Sequence, residues 1–259
     1  MKEDISRREF LKRTGAGAAA LGLAAAGCSP GKEQELPEGT GEMTFRTNPA
    51  TGDRVSLLGY GCMRWPMTTD GDGNEIIDQE QVNRLVDKAL ASGVNYYDTS
   101  PVYCQGLSEK ATAIALSGHP RESYFLATKL SNFSNWSREN SILMYRKSFE
   151  NLMTDYIDYY LLHSVGNGGS SQFDARYVDN GMIDFLMKER EAGRIRNLGF
   201  SYHGDRKTFD YVLGLHEKVH WDFVQIQMNY VDWRHAASRN VDAEYLYAEL
   251  ADRGIPAVI

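Results

Sequence analysis

The sequence predicts an α/β fold in which parallel strands and helices alternate around a (β/α)8 barrel. Short apolar segments with strand character alternate with longer helix-like segments from residue 57 onward. Seven such strand segments are present, and the glycine-rich fingerprint of a doubly wound dinucleotide fold is absent. These two observations together favour a barrel over an open, doubly wound sheet.

The predicted elements follow one another with short connections. A small hairpin is expected at 44–46 and 55–57, where a run rich in Asn, Pro, Gly and Asp separates the two strands. The barrel strands are predicted at 57–61, 94–97, 124–128, 157–162, 195–200, 223–227 and 257–259. The helices between them are predicted at 78–91, 108–117, 138–153, 182–192, 207–215 and 243–252. Glycines expected to end helices in a left-handed conformation are Gly93, Gly118, Gly193 and Gly254.

The seventh predicted strand is also the last segment of the sequence. A barrel closes only when its first and last strands pair, and an open edge presents unpaired backbone groups. We therefore expect a barrel that is incomplete at the C-terminus over residues 43–259. Either the protein continues, or this fragment is not a competent enzyme by itself.

Residues 1–27 have the layout of a targeting peptide. Paired Arg7 and Arg8 precede Phe-Leu-Lys and an apolar stretch that ends in small residues, which resembles a twin-arginine signal for export of folded proteins. The alternative is a basic, alanine-rich helix of the mature protein, but the glycines of this stretch would weaken such a helix. We expect a protein of the periplasm or cell envelope.

Cys28 follows Ala-Ala-Gly, which resembles a lipoprotein cleavage box. Either this cysteine carries a lipid, which would be the protein's only contact with a membrane, or cleavage nearby leaves it unmodified. Residues 28–42 are predicted to form a flexible linker. Besides Cys28 the chain has Cys62 and Cys104, which allow at most one disulfide and no cysteine cluster.

The overall charge is acidic. The chain carries 28 Lys and Arg against 35 Asp and Glu, a formal net charge of −7. Removing the basic residues 1–27 would make the remainder more acidic still. A negative surface argues against nucleic acid as a partner.

Polar side chains close three consecutive predicted strands. Asp98 ends the second strand, Lys129 the third and His163 the fourth, while Tyr103 lies in the loop after Asp98. Barrel enzymes place their catalytic groups at the carboxyl ends of the strands. We therefore expect these four side chains to share one site.

The same motifs resemble those of the aldo/keto reductase family. The run Asp-Thr-Ser-Pro-Val-Tyr ending at Tyr103, the Ala-Thr-Lys ending at Lys129 and the Leu-Leu-His ending at His163 match in order and approximate spacing. The resemblance extends over nearly all the chain after the linker. It is closest to reductases with a twin-arginine leader, some of which continue into a C-terminal iron–sulfur segment. It implies a TIM barrel, a nicotinamide cofactor and carbonyl reduction.

The four residues suit that chemistry without a metal. Hydride addition to a carbonyl leaves an alkoxide that needs a proton donor, and Tyr103 is the candidate. Lys129 is expected to lower the pKa of Tyr103, while Asp98 balances the lysine charge and holds it in place. His163 can donate to the carbonyl oxygen and orient the substrate. The resemblance assigns the same roles to these positions.

Each residue also has a structural alternative. Tyr103 can be aromatic packing at a strand end, and Asp98 with Lys129 can be only an ion pair. His163 can be a satisfied core histidine. Their joint placement at strand ends favours the catalytic interpretation.

The resemblance implies a set of cofactor-binding residues. Ser201 and Gln225 hold the positions that bind the nicotinamide carboxamide in this family, and their side chains can do so because a carboxamide offers one acceptor and two donors. Gly61 and Met63, after the first barrel strand, match the loop that lies under the cofactor.

Three aromatic residues and one loop are candidates for the substrate side. Tyr202 replaces the family's asparagine, so either Asn229 compensates or the ring of Tyr202 faces the substrate. Trp65 and Trp136 are predicted to line an apolar cleft. The glycine-rich segment 165–171 is either a substrate lid or a plain connection.

The resemblance implies NADP as the cofactor, with NAD as the alternative, and a small-molecule carbonyl substrate. An iron–sulfur cluster is expected only if a further C-terminal segment exists. The histidines lack the spacing of a zinc site, so no metal is predicted. The alternative function is a non-catalytic or electron-relay barrel in an envelope redox complex. An exported enzyme would need electrons either from a redox partner protein or from a further C-terminal segment of its own.

Overall fold

The structure is a computed structural model, and it describes residues 42–49, 51–230, 233–234 and 242–259. The predicted signal at 1–27, Cys28 and the linker up to residue 41 lie outside the described residues.

Two antiparallel hairpins precede the first helix. Strands β1 (Phe45–Thr47) and β2 (Arg54–Ser56) form the predicted hairpin. After the short strand β3 (Tyr60–Gly61), a second hairpin pairs β4 (Met67–Thr69) with β5 (Glu75–Ile77). The second hairpin was not predicted.

The main sheet contains seven parallel strands, and each corresponds to a predicted strand. β3 is its first strand, and the others are β6 (Tyr96–Asp98), β7 (Phe125–Leu130), β8 (Ile157–Val165), β9 (Ile195–Tyr202), β10 (Phe223–Ile226) and β11 (Ala257–Val258). Their spatial order follows the chain from β3 to β11, and every neighbouring pair is parallel. The described strands thus form a curled, barrel-like sheet.

The helices cover the outside of the sheet. They are α1 (Gln79–Ala91), α2 (Ser108–Leu116), α3 (Arg138–Leu152), α4 (Gly169–Phe173), α5 (Met182–Glu191), α6 (Arg206–Gly214), α7 (His216–Val219) and α8 (Ala243–Asp252). All six predicted helices are confirmed. No helix among the described residues is long and apolar enough to cross a membrane.

Local signals explain where several helices begin. The side chains of Asp78, Ser137 and Asp205 each accept a hydrogen bond from a backbone N–H in the first turn of the following helix. Such caps satisfy donors that have no partner within the helix.

The predicted helix ends are confirmed at three of four glycines. Gly93, Gly193 and Gly254 have φ values of 86°, 76° and 66°, in the left-handed region. The prediction is wrong for Gly118, which does not have a positive φ. There the chain continues in a right-handed turn, with Ser117 at φ −62°.

Side chains alternate between the two faces of the sheet, as the pleat of a strand requires. Tyr96, Tyr159, Leu161 and Phe223 belong to one apolar cluster inside the curl. The intervening residues pack with the helices in a second, larger core, as Tyr160 does. The fold therefore has an inner core and an outer core separated by the strands.

The first hairpin closes the amino-terminal end of the inner core. Asp53, in its turn, accepts hydrogen bonds from the Tyr159 hydroxyl at 2.9 Å and the Asn197 side-chain amide at 3.3 Å. Tyr159 packs edge-on against Tyr96 and Phe223 inside the curl. One carboxylate thus joins the hairpin to two barrel strands.

We predict that Asp53→Ala lowers the free energy of unfolding by about 1–3 kcal/mol, because the partly buried Tyr159 hydroxyl loses its acceptor and the Asn197 amide keeps only the Asp158 carbonyl. Urea denaturation measures the change. Asp72→Ala, in the exposed turn of the second hairpin, is the matched control and should stay within about 0.5 kcal/mol of the parent. An equal effect of both substitutions would contradict the proposed anchoring role of Asp53.

Candidate active site

Three of the predicted catalytic side chains, those of Asp98, Lys129 and His163, share the inner face of the sheet at its carboxyl end with the predicted cofactor residue Gln225. Each of these four lies two residues after a member of the inner apolar cluster, so the period of two places it on the same face. The pairs are Tyr96 and Asp98, Ala127 and Lys129, Leu161 and His163, and Phe223 and Gln225. The inner face thus changes from apolar to polar toward the carboxyl ends of the strands.

A buried ion pair lies at the centre of the site. The ammonium group of Lys129 contacts the Asp98 carboxylate and donates a second hydrogen bond to the Thr99 carbonyl at 2.9 Å. The lysine side chain is only 1% exposed and that of Asp98 14%. A charge buried this deeply needs such partners, because it has lost its hydration.

Tyr103 lies beside this pair. The Lys129 Nζ atom is 4.9 Å from the centroid of the Tyr103 ring, and the ring of His163 meets it edge-on at 5.8 Å. Tyr103 itself is half-buried. The structure therefore brings together all four predicted catalytic side chains.

The turn that carries Tyr103 has an unusual backbone. Cys104 and Gln105 have φ values of 48° and 57°, a left-handed conformation that costs energy for residues with a side chain. Two side-chain contacts hold the turn: the Cys104 thiol to the Met63 carbonyl at 3.4 Å, and the Gln105 amide to Glu75 at 3.0 Å. The unpredicted second hairpin thus supports the catalytic turn through Glu75.

Two opposing effects act on the pKa of Tyr103. Burial raises the pKa of Tyr103 above its ordinary value of 10.0, and the nearby Asp98 carboxylate adds to the rise. Lys129 lowers the pKa of Tyr103, as expected, but does not offset the effect of burial. Tyr103 therefore holds its proton at neutral pH.

His163 is held through its ring. Its Nδ1 atom forms a hydrogen bond with the Ser131 hydroxyl at 2.6 Å and a longer one with the Ser100 hydroxyl at 3.4 Å. Burial lowers the pKa of His163 to about 2, and the charges of Lys129 and Arg176 act in the same direction. The imidazole is therefore neutral at physiological pH, with Nε2 left for a substrate.

Three of the four predicted cofactor residues lie around the same end of the sheet as the catalytic set. Ser201 and Gln225 are directly paired on neighbouring strands, and the amide of Gln225 lies 3.5 Å from the Asp98 carboxylate. Gly61 is paired with Asp98 on the other side. A cavity of about 410 Å³ reaches Gly61, Asp98 and Gln225 from inside the curl.

The fourth residue, Met63, follows Gly61 in a short 3-10 turn. Its side chain is 53% exposed, and its backbone carbonyl contacts Cys104. The loop that was predicted to lie under a cofactor therefore touches the turn that carries Tyr103.

Two predictions about the substrate side are wrong. Tyr202 does not face the site: it is buried in the outer core, packs on Phe209 and donates to the Asp205 carbonyl. The reason is that β9 continues through Tyr202, so this residue points opposite to Ser201. Trp65 is only 4% exposed, stacks on Tyr60 and does not line an open cleft.

The other predicted features of this side differ in outcome. Trp136 is partly exposed and donates to the carbonyl of Phe133, whose ring lies 5.0 Å from that of His163. The segment 165–171 is not a continuous loop, because β8 includes Val165 and α4 begins at Gly169. Cys62 and Cys104 are free thiols.

The structure adds residues that the sequence analysis missed. Ser100 and Ser131 bind the ring of His163, and Arg176 and Tyr177 bind its carbonyl oxygen. Ser131 carried a recognisable signal, since it lies two residues after Lys129 at the end of a predicted strand. Arg176 carried none. Within the described ranges, no group of three or more His, Cys, Asp or Glu side chains is arranged to hold a metal ion.

The sequence similarity to curated relatives extends over about half of this chain. An aldo-keto reductase of Mycolicibacterium smegmatis is 33% identical over 145 residues, which are 52% of this chain and 50% of the relative. The L-galactose dehydrogenase of Arabidopsis thaliana is 29% identical over 156 residues, 58% of this chain and 46% of that protein. The matched segment thus spans about half the length of these relatives.

Solved structures share the fold. The holo form of an aldo-keto reductase from Bacillus halodurans superimposes with a TM-score of 0.64 at 24% identity, covering 84% of this chain and 65% of that one. An aldo/keto reductase from Klebsiella pneumoniae, solved in complex with NADP and acetate, gives a TM-score of 0.60 at 21% identity, with 83% and 66% coverage. At these identities the likeness concerns the fold.

A family profile closes the comparison. The description of that profile is "Aldo/keto reductase family", and it matches residues 57–258, which include the main sheet from β3 to β11 and the whole candidate site. The chain therefore belongs to the aldo/keto reductase family.

Proposed function

We propose that this protein reduces a carbonyl group of a small molecule to an alcohol with a nicotinamide cofactor, NADP or alternatively NAD. The observation that carries the proposal is the convergence of Tyr103, Lys129, Asp98 and His163 at one end of the inner face. A protonated phenol, a buried ammonium and a neutral imidazole together suit the stabilisation of a forming alkoxide.

The donor set fits a nicotinamide carboxamide. The Ser201 oxygen already accepts a hydrogen bond from the Ser164 N–H at 2.8 Å, and its own O–H is left to donate. The Gln225 amide has a carbonyl acceptor and a second N–H beyond its long contact with Asp98. Ser201 and Gln225 would hold the carboxamide, with Gly61 and Met63 beneath it. The bound nicotinamide supplies the hydride.

The chain's own residues handle the proton and the substrate. Tyr103 keeps its proton because burial raises its pKa, so its hydroxyl is a donor toward the substrate oxygen. Lys129 stabilises the phenolate that remains after transfer, and Asp98 keeps the lysine in place. Neutral His163, held at Nδ1 by Ser131, has Nε2 available to orient the carbonyl.

We propose further that the protein is exported with its cofactor already bound. The paired Arg7 and Arg8, which lie outside the described residues, support the twin-arginine route, and this route carries folded proteins. A nicotinamide enzyme outside the cytoplasm would meet little free cofactor, so loading before export is useful. A redox partner protein would then supply electrons, and Cys28 would provide any lipid anchor.

Removal of the proposed proton donor tests the reaction. We predict that Tyr103→Phe lowers kcat for NADPH-dependent carbonyl reduction by about 10²–10⁴-fold, because general acid catalysis contributes that much. NADPH binding, followed by intrinsic fluorescence, should remain. Tyr247→Phe, on the partly exposed face of α8, is the matched control and should keep full activity.

A broad panel of aldehydes, ketones and quinones should be used with the full-length protein. NADPH binding without turnover on any of them, together with no effect of Tyr103→Phe, would contradict the enzymatic proposal. Such a result would favour the non-catalytic or electron-relay alternative.

The pH dependence tests the state of His163. Because the pKa of His163 is lowered to about 2, far below its ordinary 6.5, its imidazole stays neutral as the pH falls through the physiological range. We predict that kcat/KM shows no ionisation of His163 between about pH 5 and pH 8. A fall of kcat/KM near pH 6.5 in the parent that is absent in His163→Asn would contradict a neutral His163.

Export is tested by cell fractionation. Conservative replacement of both arginines, Arg7→Lys with Arg8→Lys, should leave the precursor in the cytoplasm, whereas the parent reaches the envelope. Conversely, envelope protein recovered without any bound nucleotide would argue against loading before export.

A further inference from the structure

The peptide bond between His163 and Ser164 interrupts the regular pairing of β8. The register between β8 and β9 shifts from the pair Leu162 and Phe200 to the pair Val165 and Tyr202, so β8 has one extra residue there. Ser164 has a φ of 54°, in the left-handed region. Bulges of this kind occur next to active sites. The extra residue here directly follows His163, so the peptide that carries the His163 carbonyl leaves the regular ladder.

Side chains bind both polar atoms of this peptide. The His163 carbonyl accepts hydrogen bonds from Arg176 Nη2 at 3.0 Å and from the Tyr177 hydroxyl at 3.3 Å. The Ser164 N–H donates to the Ser201 oxygen at 2.8 Å. A buried peptide that leaves the ladder needs such partners. The direction of His163 therefore depends on three side chains from outside its own strand.

Arg176 is the least expected of these partners. It lies in a π-helical turn (Asp174–Val178). Such turns are rare in proteins, and those that occur are often found at functional sites. Its side chain is buried, and the whole residue is 3% exposed. Among the described residues, none of its hydrogen-bond or ion-pair partners is a carboxylate. A buried arginine is ordinarily paired with one.

Neutral groups stabilise the guanidinium instead. Nε and Nη2 donate to the Asn132 side-chain oxygen at 3.3 and 3.2 Å, and the rings of Phe133 and Tyr177 lie 5.2 and 4.7 Å from its central carbon. Asn132 directly follows Ser131, which binds the ring of His163. The adjacent residues Ser131 and Asn132 therefore contact the His163 ring and the Arg176 guanidinium, while Arg176 itself binds the His163 carbonyl.

The charge of Arg176 is therefore not balanced within this network. The titratable and charged groups that face His163 are Lys129, Arg176 and His203, with the ring of Tyr103 and the hydroxyl of Tyr177. The carboxylate of the site, Asp98, is bound to Lys129. The guanidinium of Arg176 disfavours a positive charge on the imidazole. Burial is the largest cause of the lowered pKa of His163, and the charges of Lys129 and Arg176 act in the same direction.

We propose that Arg176 is a positioning residue for His163, which fixes the bulged peptide so that the ring faces Tyr103 and keeps the imidazole uncharged. This inference rests on the proposed carbonyl reduction for its kinetic consequences. The geometric and electrostatic part does not depend on activity.

The test compares Arg176→Met and Arg176→Lys with the parent protein. Arg176→Met removes both the charge and the hydrogen bonds, and should lower kcat about 10–100-fold, the effect of a misplaced catalytic group. NADPH affinity should fall much less than kcat, because Arg176 acts on Ser201 only indirectly, through the peptide whose Ser164 N–H donates to Ser201. In Arg176→Met, any acidic fall of kcat/KM should lie at higher pH than in the parent, because one of the causes that lower the pKa of His163 is removed while burial and Lys129 remain. Arg176→Lys should lower kcat without this shift.

Arg138→Met is the matched control. Arg138 also donates to backbone carbonyls, those of Asn180 and Gly181, but it is exposed and does not contact His163. Its loss should leave kcat and the pH profile unchanged. A parallel loss of activity, NADPH affinity and stability in both Arg176 variants would mean a purely structural role and would overturn the proposal. Unchanged kcat in Arg176→Met would also overturn it.

A measurement without turnover separates this proposal from the proposed function. The ring nitrogens of His163 can be followed by NMR in the parent, Arg176→Lys and Arg176→Met, from neutral pH to the lowest pH at which each protein stays folded. The parent ring should stay neutral throughout. We expect changed ring signals in Arg176→Met and little change in Arg176→Lys. If the parent binds NADPH but reduces nothing, the proposed function fails while this measurement still decides the role of Arg176. Parent-like ring signals in Arg176→Met refute it.

Discussion

The candidate site depends on the buried ion pair between Lys129 and Asp98. An ammonium that is almost completely buried is tolerated only with a close carboxylate and further hydrogen bonds, and here these come from Asp98 and the carbonyl of Thr99. The two residues lie on the neighbouring strands β6 and β7, so the pair also fixes those strand ends relative to each other. Tyr103 and Gln225 are arranged around the same two charges.

The rest of the inner face is organised by the strand period. On several strands, an aromatic or aliphatic residue of the inner core is followed two residues later by a polar residue of the site. Gly199 also lies on the inner face. This face is tightly packed there, since a Cβ atom at Gly199 would lie 2.3 Å from the carbonyl oxygen of Phe223. Ser201, two residues later, is thereby brought beside Gln225. The apolar inner core therefore serves as the base on which the polar site is built.

The sequence was sufficient to predict the elements whose burial follows a simple period. All seven main strands and six long helices belong to this class, and so does the clustering of the polar strand ends. The second hairpin was missed because its strands are short and largely exposed, so Met67 to Ile77 carry little hydrophobic pattern. The orientation of Tyr202 was predicted wrongly because it depends on where β9 ends, and strand boundaries are weakly encoded.

The features that could not be predicted arise from contacts between distant segments. The bulge at Ser164 arises because β8 has one more residue than β9 between two paired positions. The sequence of neither strand alone predicts that difference. In the sequence, Arg176 lies between the predicted strand 157–162 and the predicted helix 182–192, with no signal of burial. Its burial becomes visible only when the π-helical turn places it against Asn132 and the carbonyl of His163.

These contacts also set the electrostatic character of the site. Asp98 balances Lys129, whereas the charge of Arg176 is shared among an amide oxygen, a carbonyl oxygen and two aromatic faces. In a poorly hydrated environment, positive charge that is not neutralised favours negative charge developing nearby. A carbonyl oxygen that accumulates negative charge during reduction would lie between the Tyr103 hydroxyl and the His163 ring. Burial is the main reason that the pKa of His163 is low, and the excess of positive charge that adds to this effect would also favour the reaction.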